Sequence, residues 1–243
     1  MLNVPRVVTR ILVVLAIVHA VRAFLLSPQQ DVDLLILFAF IPARYGTSLQ
    51  GEFPGGIWAD AWTFVTYALL HGDITHLGIN SVWLLAFGSA VARRFETGRF
   101  LAFSAVTAAA GAAIHLASHH GEFVPMIGAS AAISGYMAAA MRFIFQGGGP
   151  LEMWRSQDAR IYRVPASPLF TVFADPRILL FLLIWFGLNF LLGHGSLPLG
   201  EDREVAWQAH IGGFIAGLFL FALFDPVKRS DFPQGDEPER RMD

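Results

Sequence analysis

Long apolar runs separated by short polar stretches make up most of the chain. Six runs approach the length that a helix needs to cross about 30 Å of hydrocarbon, and polar residues, glycine or proline bound each of them. The runs cover residues 11–26, 76–92, 100–118, 126–145, 178–192 and 205–224. The pattern predicts an all-α polytopic membrane protein, built as a bundle of six transmembrane helices.

The segment between the first two runs, from about residue 28 to residue 75, contains no run of that length. Its apolar stretch Leu34–Pro42 is too short to span a bilayer. Glycine and tryptophan are frequent from there to Trp62, so we expect a long external loop that lies at the membrane interface. Residues 1–226 then form one membrane domain, and residues 227–243 form a charged cytoplasmic tail that is predicted to be disordered.

The first run has two interpretations. Arg6 and Arg10 precede it and Val21-Arg22-Ala23 loosely resembles a processing site, which are features of a cleaved signal peptide. A retained first span is the interpretation that we favour.

The positive residues indicate the orientation of the six spans. Of the 17 lysines and arginines, only Arg22, Arg44 and Arg203 fall on the side opposite to the N-terminus. The positive-inside rule therefore places both termini in the cytoplasm, and a bacterial inner membrane is the expected location. In this orientation Ser130 and His210 lie at similar depth, toward the external face.

Composition excludes several other classes of protein. The chain is 55% hydrophobic and 15% charged, with a mean hydropathy of +0.53. Its formal net charge of -2 offers no basic patch for nucleic acid. The absence of cysteine excludes disulfides, thiolate metal sites and cysteine catalysis. We expect no cofactor, no metal and no nucleic-acid partner.

One small-residue run carries candidate chemistry. The run Gly128-Ala129-Ser130-Ala131-Ala132-Ile133-Ser134-Gly135 places two hydroxyls in an apolar segment, but a serine becomes a useful nucleophile only with a base within hydrogen-bond reach. His210, in the otherwise apolar sixth run, is the candidate base. Gly213 and Gly217 follow it on the same helix face, where they allow another backbone to come close. We therefore expect Ser130 and His210 to meet across two packed membrane helices.

The second run adds polar groups that a simple membrane anchor does not need. His76 and Asn80 are four residues apart and share a helix face, whereas His71 belongs to the loop that leads into the helix. Acyl transfer creates an oxyanion, and the His76 ring N–H, the Asn80 amide and the Ser130 backbone N–H are suitable donors for it. For His76 or Asn80 alone, a hydrogen bond to a neighbouring helix is an equally good explanation.

Together these residues closely resemble the motifs of the rhomboid intramembrane serine proteases. The resemblance rests on His71-x4-His76-x3-Asn80, Gly128-x-Ser130 and Ala209-His210-x2-Gly213-x3-Gly217, on the second, fourth and sixth spans. It implies a six-span rhomboid-like bundle in which Ser130 is the nucleophile, His210 the base, and His76 and Asn80 donors to the oxyanion. It also implies that His71 supports the loop before the second span, that no metal takes part, and that single transmembrane helices are the substrates.

Several positions depart from the family pattern. Ala131 follows the nucleophile where glycine is frequent, and Ser134 stands where an aromatic residue often packs against the base. Thr63 and Ala92 replace a frequent arginine and a frequent glutamate. None of the four removes a reacting group, so they bear on substrate preference and local packing.

The orientation of the base is the open point of the mechanism. No acidic residue lies in the fourth or sixth span, so the sequence predicts a Ser-His dyad whose base is held by packing, with Ser134 as one candidate contact. At the external end of the third span, His115 and His119 are four residues apart, and a solvated helix end is favoured there over a metal site.

Two other function classes remain open. A non-catalytic rhomboid-like binder of transmembrane clients is expected to lack the serine or the histidine, and both are present. A small-solute transporter is expected to show an inverted repeat or an intramembrane acid, and neither is apparent in the sequence.

Overall fold

The computed structural model describes residues 4–46, 53–151, 158–193 and 206–227. Within these ranges the secondary structure is helical, apart from one isolated bridge between Phe40 and Met126. Most of the predicted tail, from residue 228 onward, lies outside them. The α-helices are α1 (Arg6–Phe24), α2 (Pro28–Phe38), α3 (Gly56–Thr66), α4 (Ile74–Trp83), α5 (Ser89–Ser118), α6 (Ser130–Met141), α7 (Leu169–Ala174), α8 (Pro176–Gly193) and α9 (Trp207–Phe224).

Three helical stretches in these ranges are long and apolar enough to cross a membrane, namely Arg6–Phe24, Ile74–Ser118 and Trp207–Phe224. The second of them is 45 residues long and contains a π-helical turn at Leu84–Gly88. It is broken at Glu96, whose φ of 63° and ψ of 173° are not helical. This break lies between the second and third predicted runs.

The fourth predicted run, residues 126–145, is helical over a shorter range than expected. Met126 instead pairs with Phe40 through two backbone hydrogen bonds of 2.8 and 3.1 Å, and Gly128 has a φ of 116°, which side chains disfavour. Helix α6 begins only after this turn, so Ser130 is its first residue. The 12 residues of α6 rise roughly 18 Å, which is less than the thickness of the hydrocarbon core.

The segment predicted as an external loop contains two short helices. Helix α2 begins with a capping box, in which the Ser27 hydroxyl accepts from the Gln30 N–H and the Gln30 side chain accepts from the Ser27 N–H. Helix α3 packs against both α2 and α5, and the Trp62 indole N–H donates to the Leu37 carbonyl at 3.1 Å. Much of this segment is therefore regular structure that covers the bundle.

Helices α5, α6 and α9 form the centre of the bundle, and small residues set the distances between them. A Cβ on Gly135 would lie 2.5 Å from the Thr107 side chain. A Cβ on Gly213 would overlap the Ala131 carbonyl oxygen, and a Cβ on Gly217 would lie 2.5 Å from Gly135 Cα. The missing side chains of Gly213 and Gly217 therefore let α9 approach α6 closely enough for side chains on the two helices to meet.

Arg94 joins the break in α5 to the end of α9. Its fully buried guanidinium forms two hydrogen bonds with the Asp225 carboxylate, of 2.8 and 2.9 Å, and donates to the carbonyls of Tyr162 and Val164. A buried ion pair stabilises a fold only when hydrogen bonds satisfy both charges. Because Arg94 has these additional partners, it holds three separate segments of the chain together.

Candidate active site

Helices α6 and α9 bring Ser130 and His210 into contact. Ser130 Oγ lies 2.7 Å from His210 Nε2, which is a hydrogen-bond distance. Ser130 is the first residue of α6 and His210 lies in the first turn of α9, and both side chains are partly exposed. Such a hydroxyl can give its proton to the imidazole as it attacks an electrophile.

The turn before α6 places His76 beside the same hydroxyl. The Gly128 N–H donates to the Tyr67 carbonyl at 3.0 Å, which fixes this turn against the segment before α4. A Cβ on Gly128 would lie 2.6 Å from His76 Nε2 and 3.7 Å from Ser130 Oγ. Gly128 is therefore required for its positive φ and for the room that it leaves, and His76 and Ser130 border one small space.

The His76 ring presents Nε2 to this space. Asp73 caps α4 and accepts from the His76 backbone N–H at 3.0 Å, while the Gly72 N–H donates to His76 Nδ1 over a long contact of 3.5 Å. A neutral imidazole whose Nδ1 accepts carries its proton on Nε2. In this tautomer, His76 Nε2 can donate a hydrogen bond toward the space beside Gly128.

Asn80 lies one turn further along α4 and is buried. Its Nδ2 donates to the His76 carbonyl at 2.9 Å. An amide nitrogen has two N–H groups, and this bond uses one of them. Asn80 therefore stabilises the turn that carries His76.

His71 supports His76 from the loop before α4. Its buried ring packs edge-on against the His76 ring, with 5.0 Å between the centroids. The His71 carbonyl accepts from Arg22 of α1 at 2.8 Å, and Arg22 pairs with Asp31 of α2. Burial, with a smaller contribution from His76, lowers the pKa of His71 to about 3, so this ring is neutral at ordinary pH.

Ser134, the candidate contact of the base drawn from the sequence, makes its described hydrogen bond within α6. Its hydroxyl donates to the Ser130 carbonyl, one turn earlier in α6, at 2.8 Å. Buried serines in helices often make this bond to their own backbone. The hydroxyl of Ser134 is therefore used within the first turn of α6, and a role of this residue in packing against the base stays a prediction.

Asn189 of α8 contacts His210 and was missed by the sequence interpretation. Its side-chain oxygen is hydrogen-bonded to His210 Nδ1, on the side of the ring away from Ser130. The sequence does contain a signal, because Asn189 is the one amide or charged side chain in the apolar run 178–192. Asn189 is uncharged and lies in the fifth run, outside the fourth and sixth spans that carry Ser130 and His210.

The two histidines at the end of α5 have hydrogen-bond partners of their own. His115 is buried, with Nε2 3.2 Å from the Val124 carbonyl, so its assignment to a solvated helix end is wrong. His119 is partly exposed, and its Nδ1 lies 2.9 Å from the Ser118 hydroxyl. Among the residues that the structure describes, no three histidine, aspartate or glutamate side chains come together as a metal-ligand set.

Comparison with known proteins decides the family. A family model described as Rhomboid domain matches residues 59–226, more than two thirds of the chain. The chain belongs to the rhomboid family. The matched range contains all the site residues discussed above from His71 to His210, and the apolar helices make this rhomboid an integral membrane protein.

One relative whose name states an activity is distantly similar to this chain. Rhomboid protease GluP of Bacillus subtilis (strain 168) is 26% identical to this rhomboid over 196 residues. The aligned stretch is 81% of this chain and 31% of the relative, so the chain spans about a third of the length of the curated relative that it matches.

Proposed function

We propose that this rhomboid is an intramembrane serine endopeptidase. It hydrolyses a peptide bond in or next to the transmembrane helix of a membrane-protein substrate. The observation that carries the proposal is the 2.7 Å contact between Ser130 Oγ and His210 Nε2 on two packed apolar helices. Polar residues are costly inside a membrane and are usually functional there. The name of the relative, a rhomboid protease, supports the same activity.

Ser130 and His210 carry out the bond-making and proton transfers of the reaction. His210 Nε2 takes the hydroxyl proton while Ser130 Oγ attacks the scissile carbonyl carbon and forms a tetrahedral oxyanion. The protonated imidazole then gives its proton to the leaving amine, the C–N bond breaks, and an acyl-enzyme ester remains. A water molecule, deprotonated by the same imidazole, hydrolyses this ester, and the proton returns to Ser130 Oγ.

Three groups are suited to donate hydrogen bonds to this oxyanion. The His76 Nε2–H faces the space beside Gly128, and the Ser130 backbone N–H is at the first position of α6, where helix N–H groups have no partner within the helix. The positive end of the helix dipole also favours a negative charge at this point. Asn80 supplies the third donor from the same face of α4.

We also propose the topology that the sequence predicts. Six spans place both termini on the cytoplasmic side of a bacterial inner membrane, and single-pass membrane proteins are the substrates. The break at Glu96 supports a division of the 45-residue stretch into two spans. The distribution of the positive residues supports the orientation.

The experiment that tests this function is cleavage of a panel of transmembrane peptides. The purified protein in detergent is incubated with each peptide, and mass spectrometry identifies the products. The expected result is cleavage at a defined bond in or beside the apolar segment of at least one peptide. Binding of peptides without any cleavage would indicate a rhomboid-like binder and would contradict the proposal.

Removal of one oxyanion donor is expected to reduce the cleavage rate without abolishing it. We expect His76→Ala and Asn80→Ala each to fold and to lower the turnover number about 10²- to 10³-fold, because removal of one donor leaves the others in place. The exposed neighbour Ile79 provides the control, since Ile79→Ala alters the same helix without a polar group. Initial cleavage rates measure the effect. A wild-type rate in either variant would show that its assigned role is wrong.

A further inference from the structure

The contact between Asn189 and His210 joins a third helix to the proposed site. Ser130 of α6 lies at Nε2 of the imidazole, and Asn189 of α8 is hydrogen-bonded to Nδ1. Both ring nitrogens therefore have a side-chain partner. We infer that Asn189 is a positioning residue for His210 and completes a Ser-His-Asn triad, an inference that rests on the proposed function.

A second contact of Asn189 fixes the direction of its amide. Nδ2 lies 2.8 Å from the carbonyl oxygen of Trp185, one turn earlier in α8. A carbonyl oxygen can only accept, so the amide nitrogen faces Trp185 and the amide oxygen faces His210. The amide oxygen can also only accept, so His210 Nδ1 must donate to it.

The direction of the amide decides which ring nitrogen is the base. A neutral imidazole carries one proton, and a proton on Nδ1 leaves the lone pair of Nε2 directed at the Ser130 hydroxyl. This tautomer is the one that a general base at Nε2 needs. Without an acceptor at position 189, the two tautomers compete and the ring loses one of its two fixed contacts.

An asparagine is suited to this position because it is neutral. An aspartate in an apolar helix would add a charge that is costly to bury in a membrane, whereas an amide orients the ring through one hydrogen bond and satisfies its own N–H on the helix backbone. Asn189 is partly buried, and its neighbours Leu188 and Phe190 are exposed. Asn189 therefore faces α9 and the rest of the bundle, whereas its two neighbours in α8 face outward.

The test compares three variants of the full-length protein. We expect Asn189→Leu to lower the turnover number about 10- to 100-fold with little change in KM, because the ring orientation matters only once the substrate reacts. We expect Asn189→Asp, which keeps an acceptor but adds a buried charge, to lower the thermal unfolding midpoint while its turnover number stays within about tenfold of the wild-type value. Leu188→Ala, an exposed change on the same helix, should leave the rate unchanged. Cleavage of a transmembrane peptide and the rate of fluorophosphonate labelling of Ser130 are both measured.

Non-additivity distinguishes positioning from a general structural role. In a His210→Ala background, Asn189→Leu should cause no further loss, because the group that it positions is gone. A full extra loss in the double variant would overturn the inference, as would equal losses in Asn189→Leu and Asn189→Asp, or a loss in KM alone. If Asn189→Leu does not fold, Asn189→Ala is used in its place.

The two proposals can fail separately. Wild-type activity of Asn189→Leu, with an inactive Ser130→Ala in the same assay, would overturn the triad and leave the protease assignment intact. Full activity of Ser130→Ala would show that Ser130 is not the nucleophile and would overturn the serine-endopeptidase assignment.

Discussion

Ser130→Ala is expected to lower the cleavage rate of a transmembrane peptide at least about 10⁴-fold. The substitution removes the one hydroxyl that lies 2.7 Å from His210 Nε2, and loss of a nucleophile in a serine-histidine site removes nearly all of its catalysis. The fold should be unaffected, because Ser130 is partly exposed and alanine is a good helix former. Initial rates and the thermal unfolding midpoint in detergent measure the two quantities.

Ser134→Ala is the matched control for this prediction. Ser134 lies one turn further along α6, and its hydroxyl bonds to the Ser130 carbonyl, not to His210. The same hydroxyl-to-methyl change should therefore leave the cleavage rate within about tenfold of wild type. A larger loss in Ser134→Ala than in Ser130→Ala would contradict the assignment of the nucleophile.

Gly213→Ala is expected to be the most destabilising small substitution in the bundle. A Cβ at this position overlaps the carbonyl oxygen of Ala131, which belongs to the backbone of α6 and cannot rotate away. The helices must separate, at a cost of about 3 kcal/mol, the upper range for over-packing. For a domain of this size such a loss corresponds to a fall of roughly 6–12 °C in the thermal unfolding midpoint.

Gly187→Ala tests whether the effect is steric. Gly187 lies in α8, and a Cβ there would meet no atom within 4 Å. This substitution should leave the midpoint unchanged or raise it slightly, since alanine favours a helix more than glycine does. Equal midpoints for Gly213→Ala and Gly187→Ala would show that α6 and α9 are not packed as closely as described.

The sequence predicted a helical membrane domain because the length of an apolar run is a local property. The break at Glu96 lies between two predicted runs, and Gly213 and Gly217 form the close contact that their spacing predicts. The shorter α6 was not predictable from composition. Its start depends on the pairing of Met126 with Phe40, which is distant in sequence.

The candidate site was easier to predict from its reactive residue types than from contacts that depend on how the helices pack. Serine and histidine in apolar runs stand out, so Ser130 and His210 could be paired before their contact was known. Asn189 contacts His210 through its side-chain amide. Amides in membrane helices commonly hydrogen-bond neighbouring helices without a catalytic role, so the sequence alone did not single this one out. Only the fold shows that α8 faces His210. The prediction that His115 lies at a solvated helix end was wrong. The sequence places this histidine near the end of a helix, but it does not show that other segments bury it.

Mapping of a fluorophosphonate adduct tests the central claim most directly, because it identifies the reactive residue without a known substrate. The purified protein is labelled in detergent, digested, and analysed by mass spectrometry. The expected result is modification of Ser130 alone, absent in Ser130→Ala and strongly reduced in His210→Ala. A modified Ser134, or undiminished labelling in His210→Ala, would contradict the account.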